Sequence, residues 1–141
     1  MLHPTDYLDS AIRWRDAVSQ WDSVDGPEGR DHLAGLAAEC ACKVLIRTMG
    51  AKLAYHGGLA DHRLRVHLPY VFDELRVQLA GRNAPAVSAH LPDQNPFKDW
   101  SIDARYAANG SITDSAAEAH RRGVEQLFRG LQAAALDGEL G

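Results

Sequence analysis

The segment Leu33-Ala34-Gly35-Leu36-Ala37-Ala38-Glu39-Cys40-Ala41-Cys42-Lys43-Val44 is the most constrained in the sequence. Leu33, Leu36, Ala37, Cys40 and Val44 recur at three- and four-residue spacing, which predicts a helix with one apolar stripe. Ala34, Gly35, Ala37, Ala38 and Ala41 are small, so neighbouring elements can approach on several sides. This is expected to be the most buried element of the chain. The helix is predicted from about Gly29 to Met49, with Gly50 as its C-terminal cap. Within it Glu39 precedes Lys43 by four residues, the favourable order for a helical ion pair. As a surface or rim pair it contributes about 0.3–0.5 kcal/mol; the functional alternative has Lys43 facing an anion between subunits. Cys40 and Cys42 point to different sides of a helix. They can share neither a disulfide nor a metal ion, and read as buried structural thiols.

Helical periodicity continues on both sides. A first helix is expected from Thr5 or Asp6 to about Val24, with Tyr7, Ala11, Trp14, Val18 and Trp21 on one face and Asp25-Gly26-Pro27 as its stop. The indoles of Trp14 and Trp21, one heptad apart, suit a core or a dimer interface. Residues 51–66 are ambiguous, and Gly57-Gly58 interrupts any long helix. Pro69 suits the start of a third helix that ends at Gly81, with Val71, Phe72, Leu75 and Leu79 inside. A short helix is expected over 84–91 and a loop over 92–110. The last helix begins near Ser111–Asp114, where capping side chains cluster, and runs to about Leu136. Ala117, His120, Val124, Leu127, Leu131 and Ala135 mark its inner face. Gly123 and Gly130 suggest close approach by another helix, including one from a second subunit. No stretch alternates with period two. The expectation is one all-α domain over residues 1–141, an antiparallel bundle of four or five helices.

Composition narrows the function. The chain has 141 residues, 45% hydrophobic and 24% charged, which is ordinary for a globular domain. Fifteen basic against nineteen acidic residues give a net charge of −4. That argues against a strongly basic nucleic-acid coat protein, though not against a local cationic patch. No apolar run approaches the ~18–20 residues that cross a bilayer. The start Met-Leu-His-Pro-Thr-Asp has neither the charge nor the apolar stretch of a signal peptide. A cytoplasmic location without membrane contact is expected. No phosphate-binding loop, dinucleotide fingerprint, His-Glu-x-x-His or Ser-His-Asp motif occurs.

Two constellations remain. His56, His62, Arg63, Arg65 and His67 gather cations within twelve residues. They fit either a solvated loop or a site for a phosphate or an RNA backbone. The histidine spacings match no standard zinc pattern, and no metal site is assigned. Arg105-Tyr106, following Trp100, combines a guanidinium fork with an aromatic ring, as a nucleotide site would. The structural alternative pairs Arg105 with Asp103 or Glu39. Asp93, Asp99 and Asp103 sit in the loop with no evident partner.

Three pieces in order resemble the HEPN (higher eukaryotes and prokaryotes nucleotide-binding) domain family. They are the run from His32 to Lys43, with its Ala-Ala-Glu-x-x-x-Lys pattern, then His67-Leu68 before an apolar helix, then Trp100 and Arg105-Tyr106 before a long Ala-rich helix. Together they span about residues 5–136. The resemblance implies a helical bundle that often dimerises. Members include ribonucleases of toxin–antitoxin, abortive-infection and CRISPR systems, partners of minimal nucleotidyltransferases, and non-catalytic proteins. Catalytic members carry Arg, four to six residues, then His. No pair here has that spacing; Arg63 and His67 have three residues between them.

The resulting expectation is a non-catalytic HEPN-like binding or interaction protein of a toxin–antitoxin or phage-defence system. It would need no cofactor and act as a homodimer or beside a nucleotidyltransferase or other antitoxin partner. Arg105, Tyr106, His67 and Lys43 would hold a nucleotide or RNA phosphate. The alternatives are an endoribonuclease with a rearranged pair, Arg63 with His67 or Arg105 with His120, and a structural subunit of a larger complex.

Overall fold

Five α-helices carry the described residues. The computed structural model describes residues 5–21, 26–82, 84–106 and 108–136, with the backbone alone at 104 and 105. The helices are α1 (Tyr7–Ser19), α2 (Pro27–Thr48), α3 (Tyr70–Ala80), α4 (Pro85–Ser88) and α5 (Asp114–Leu136). The described residues contain no strand; a single antiparallel bridge joins Leu53 to Leu59. None of the described helices is long and apolar enough to cross a membrane.

The helix ends follow local chemistry. The Asp6 carboxylate accepts from the Asp9 amide at 3.0 Å and starts α1. The Thr113 hydroxyl accepts from the Ala116 amide at 3.0 Å and starts α5. Gly50, with φ 95°, ends α2 as predicted. The α1 helix is shorter than its apolar spacing implied. It stops at Ser19, and residues 22–24 lie outside the described part. Trp21 is therefore no continuation of the α1 face. Its indole donates to the Gly26 carbonyl at 3.2 Å and covers Gly29, where a Cβ would come within 2.6 Å of the ring. That ring packs on the first turn of α2 in its own chain.

The α2 helix is the axis of the fold. Rather than one stripe, it buries Ala34, Gly35, Ala37, Ala38, Ala41, Cys42, Val44, Leu45 and Ile46, which leaves it almost no polar face. Leu33, Leu36 and Cys40, expected in the core stripe, are only partly buried, and Cys42 is the fully buried thiol. Around α2 one hydrophobic core takes Ala11 from α1, Val71, Phe72 and Leu75 from α3, Val87 from α4, and Val124, Leu127 and Leu131 from α5. On α5 it is Ala134, not Ala135, that faces inward.

The arrangement is antiparallel only in part. Tyr7 meets Lys43 and Trp21 meets Gly29, so α1 opposes α2. Asp31 meets His120, and Leu45 lies beside Gly130, so α5 runs in the same sense as α2. Glu39 meets Leu68, and Gly50 meets Arg82, so α3 also runs with α2. The two long connections carry the chain back along α2, residues 49–69 as far as Glu39 at mid-helix and residues 89–113 as far as Glu28 at its start. The helix glycines face neighbours in the same chain, a connection at Gly123 and the helices α2 and α4 at Gly130. Gly123 is covered by Pro96 and Phe97, and Gly130 by Leu45, Val87 and Leu91.

Candidate functional site

The two connections meet in a groove of about 590 Å³. Arg65, Val66, His67, Leu68, Pro69 and Tyr70 form one wall; Lys98, Trp100, Ser101, Ile102 and Asp103 form the other. The histidine-bearing bend and the segment opened by Trp100 thus share one surface. Arg65, His67 and Lys98 are exposed cations or titratable groups along it. Tyr70 is 67% exposed at its rim.

The first wall is held by Glu39. This carboxylate is buried in α2, where burial of a charge costs several kcal/mol unless donors surround it. Three do. His67 Nδ1 lies 2.9 Å and the Leu68 amide 3.2 Å from Oε1, and Lys43 Nζ is 3.5 Å from Oε2. Lys43 also sits 5.6 Å from the centre of the Tyr7 ring, a cation–π distance. The Tyr7 hydroxyl in turn accepts from the Leu59 amide at 3.0 Å. The Glu39–Lys43 pair, expected at the surface or rim, is instead only 10% exposed on either side chain. Lys43 is therefore a buried counter-ion with both neighbours engaged, and does not line the groove. Glu39 meets His67, Leu68 and Lys43. With Nδ1 tied to a carboxylate, His67 keeps Nε2 for whatever enters from the solvent side.

The second wall is held by Asp31 and His120. His120 is 1% exposed. Its Nδ1 lies 2.7 Å from Asp31 Oδ1 and its Nε2 lies 2.6 Å from Asp99 Oδ1. The Trp100 indole donates to the Asp31 carbonyl at 3.0 Å and stacks near His32. Phe97 stacks on His120 and meets Phe72 edge-on. Asn95 donates to the Pro69 carbonyl at 2.8 Å and to Asp73 at 3.3 Å, which ties the start of this wall to α3. Burial opposes charge on His120, but the hydrogen bonds to Asp31 and Asp99 outweigh it and raise its pKa above the ordinary 6.5. As a partner for Arg105 in cleavage, His120 has no nitrogen to offer a substrate.

The predicted cationic cluster divides. Arg65 and His67 line the groove. Arg63 turns back on Asp61, with Nη2 at 2.8 Å, and this bond pulls the Asp61 carboxyl down to about 2. Asp61 lines a different depression, beside Lys52 and Arg82. His56 Nδ1 accepts from the Gly58 amide at 3.1 Å within its own tight turn. Gly57, at φ 93°, makes that turn, and its Cα lies against the Thr5 carbonyl. Tyr106 is exposed, beyond the residues that line the groove. Arg105 belongs to the 3₁₀ turn Ile102–Tyr106 that follows the wall, and its side chain lies outside the described part.

Lys98, Tyr70 and the Asp31–His120–Asp99 bridge escaped the sequence reading. Asp99 does have a partner, and that partner is 21 residues away. The usable signal was His120 itself: an imidazole on the inner face of an amphipathic helix requires polar partners. Among the described residues no cluster of His, Cys, Asp and Glu has metal-binding geometry. Burial raises the Cys40 thiol to about 11 and the Cys42 thiol further, so neither is a reactive thiolate near neutrality. Comparison with protein-family models, with curated proteins and with solved structures finds no match to this chain.

Proposed function

We propose that the chain is a HEPN-like helical domain without the ribonuclease spacing, and that it binds a phosphate-bearing ligand, a nucleotide or an RNA strand, in the groove between residues 65–70 and 98–103. The supporting observation is the convergence of Arg65, His67 and Lys98 beside Tyr70 on a chain of net charge −4. Arg65 offers a planar fork for phosphate oxygens and Lys98 a point charge. His67 adds a polar edge whose orientation Glu39 sets. Tyr70 provides a face for a base. Arg105 and Tyr106 follow the second wall in the chain and remain the proposed ligand residues of the next turn. In this reading the domain works as an interaction module, with a second copy or a nucleotidyltransferase as partner.

Binding of a fluorescent adenine nucleotide and of a labelled 12-nucleotide RNA at low salt tests the ligand. The wild type should bind at least one of them. The double variant Arg65→Ala, Lys98→Ala should lose about tenfold or more, since each charge-assisted contact is worth about 1.5–3 kcal/mol. Arg105→Ala reports whether the next turn takes part. RNA affinity should fall steeply with salt. Absence of binding by the wild type at low salt refutes the ligand. A second reading, RNA cleavage, rests on His67 alone, because Glu39 holds its Nδ1 as an acid–base partner would. Cleavage by the wild type that His67→Ala abolishes would establish it.

A further inference from the structure

We propose that His120 is the positioning residue of the groove: an imidazolium clasp that holds the second wall in place, so that its discharge loosens the wall and weakens phosphate binding. This rests on the groove reading above.

The geometry requires the charge. Ionised carboxylates only accept hydrogen bonds, and a neutral imidazole has a single N–H to give. His120 lies 2.7 Å from one carboxylate and 2.6 Å from another, on opposite ring nitrogens. With both carboxyls ionised, both contacts are hydrogen bonds only if both nitrogens carry protons. Protonating a carboxyl instead is the poorer solution. Asp99 is 68% exposed, so water can solvate a carboxylate there. Asp31 is 1% exposed and its Oδ2 has no hydrogen-bond partner, which leaves His120 as the counter-charge for a buried carboxylate. Among the described residues the charged groups that face the ring are these two, one from α2 and one from the loop, and the uncharged Phe97 ring stacks on it.

The clasp acts on the groove through sequence neighbours. Asp99 stands between Lys98 and Trp100, and both line the groove. When the ring loses a proton, one of the two bonds loses its donor. Asp31 is sealed inside and cannot find another; Asp99 faces water and can. The bond to Asp99 is therefore the one that opens. Lys98 then loses the anchor beside it, and the Trp100 indole is left with its own bond to the Asp31 carbonyl as the tie to α2. His120 touches no ligand in this scheme, so it is a positioning residue and not a catalytic one.

The test has a ligand-free arm and a ligand arm. In histidine-labelled protein without ligand, nitrogen NMR should show both His120 ring nitrogens protonated at neutral pH, with a titration above 6.5, the ordinary histidine value. Asp99→Asn keeps the shape but removes one carboxylate. It should lower that titration and speed hydrogen exchange at the Trp100 indole, the group bonded to Asp31. In the ligand arm, affinity for the fluorescent adenine nucleotide should fall about tenfold as pH rises through the His120 titration, the worth of one charge-assisted contact. In Asp99→Asn the fall should move to lower pH, and any other titration in the groove is common to both proteins. A single protonated nitrogen on His120 at neutral pH overturns the clasp. So does an indole exchange rate that Asp99→Asn leaves unchanged. A nucleotide that binds equally at all pH values overturns the positioning role. A nucleotide that binds at no pH refutes the groove reading, while the ring signature and the exchange rate still decide the clasp.

Discussion

Gly35→Ala should damage this protein although alanine is the better helix former. Gly35 lies in the middle of α2 under the Trp100 indole. A Cβ built there falls inside the ring, on Cε2, Cζ2 and Nε1, far within van der Waals contact. The ring cannot slide away freely. Trp100 is buried, and its Nε1 is bonded to the Asp31 carbonyl. Overpacking of this kind costs about 1–3 kcal/mol. Loss of the indole hydrogen bond adds about 1 kcal/mol. Removing a helix-interior glycine returns about 1 kcal/mol. The net is a loss of about 1–3 kcal/mol, or a fall in Tm of roughly 4–12 °C for a domain of this size. Gly130→Ala is the matched control. It sits in α5, and its new methyl would meet Leu91, Leu45 and Val87 at 3.6–3.7 Å, ordinary contact distances. It should gain up to about 1 kcal/mol. Scanning calorimetry on the three proteins reads both effects. Because Trp100 lines the groove, Gly35→Ala should also weaken nucleotide binding, whereas Gly130→Ala should not. A Gly35→Ala protein as stable as the wild type would show that the indole is not packed on α2 and would undo the account of the second wall.

Glu39→Ala should cost about 3–5 kcal/mol in denaturant unfolding, because it strands the buried Lys43 charge and leaves the Leu68 amide without its acceptor; a loss under 1 kcal/mol would mean that water reaches Lys43. Stability should decline as pH rises from about 6.5 through the raised His120 titration: the folded protein there holds a proton that the unfolded chain has released, so the contribution is complete below 6.5 and gone above the folded value. Urea unfolding across that window checks this, and stability that rises through the window contradicts it. Iodoacetamide at neutral pH should leave Cys42 unmodified and label Cys40 slowly, with both reacting on unfolding; fast native labelling of Cys42 by mass spectrometry would place it outside the core.

The helices were legible because their signals are local. Pro69 and Gly81 bracket α3 within one residue at either end, and Gly50 closes α2. What periodicity cannot see is contact between distant residues. The face of α1 reads on to Trp21, but the Trp21 indole is taken by Gly26 and the helix has already ended. Helix direction was invisible for the same reason: nothing in the sequence of α3 or α5 says that a long connection carries the chain back along α2. At the site, the spacing of Glu39 and Lys43 was legible and their burial was not. It was nonetheless implied by the small residues around them, since a helix packed on nearly all sides leaves its charges no surface to occupy. His67 and His120 find their carboxylates 28 and 89 residues away, beyond any local pattern.

Both walls of the groove are anchored on acids of the same helix. Glu39 takes the His67–Leu68 wall through two donors. Asp31 takes the Trp100 wall twice, by its carbonyl to the indole and by its carboxylate through His120 to Asp99. The two acids stand eight residues apart, about 12 Å along the axis of α2. A helix that buries carboxylates gives up stability that apolar residues of the same volume would supply. In return it places acceptors at two fixed heights, and each fixes a loop that the hydrophobic core alone would hold only loosely. The loops then turn their other side outward, and that side carries Arg65, His67 and Lys98. Buried negative charge thus sets the geometry of an outer surface that carries Arg65, His67 and Lys98 beside Asp103. Among the described residues both polar clusters, unrelated in sequence, rest on α2 beneath the same groove.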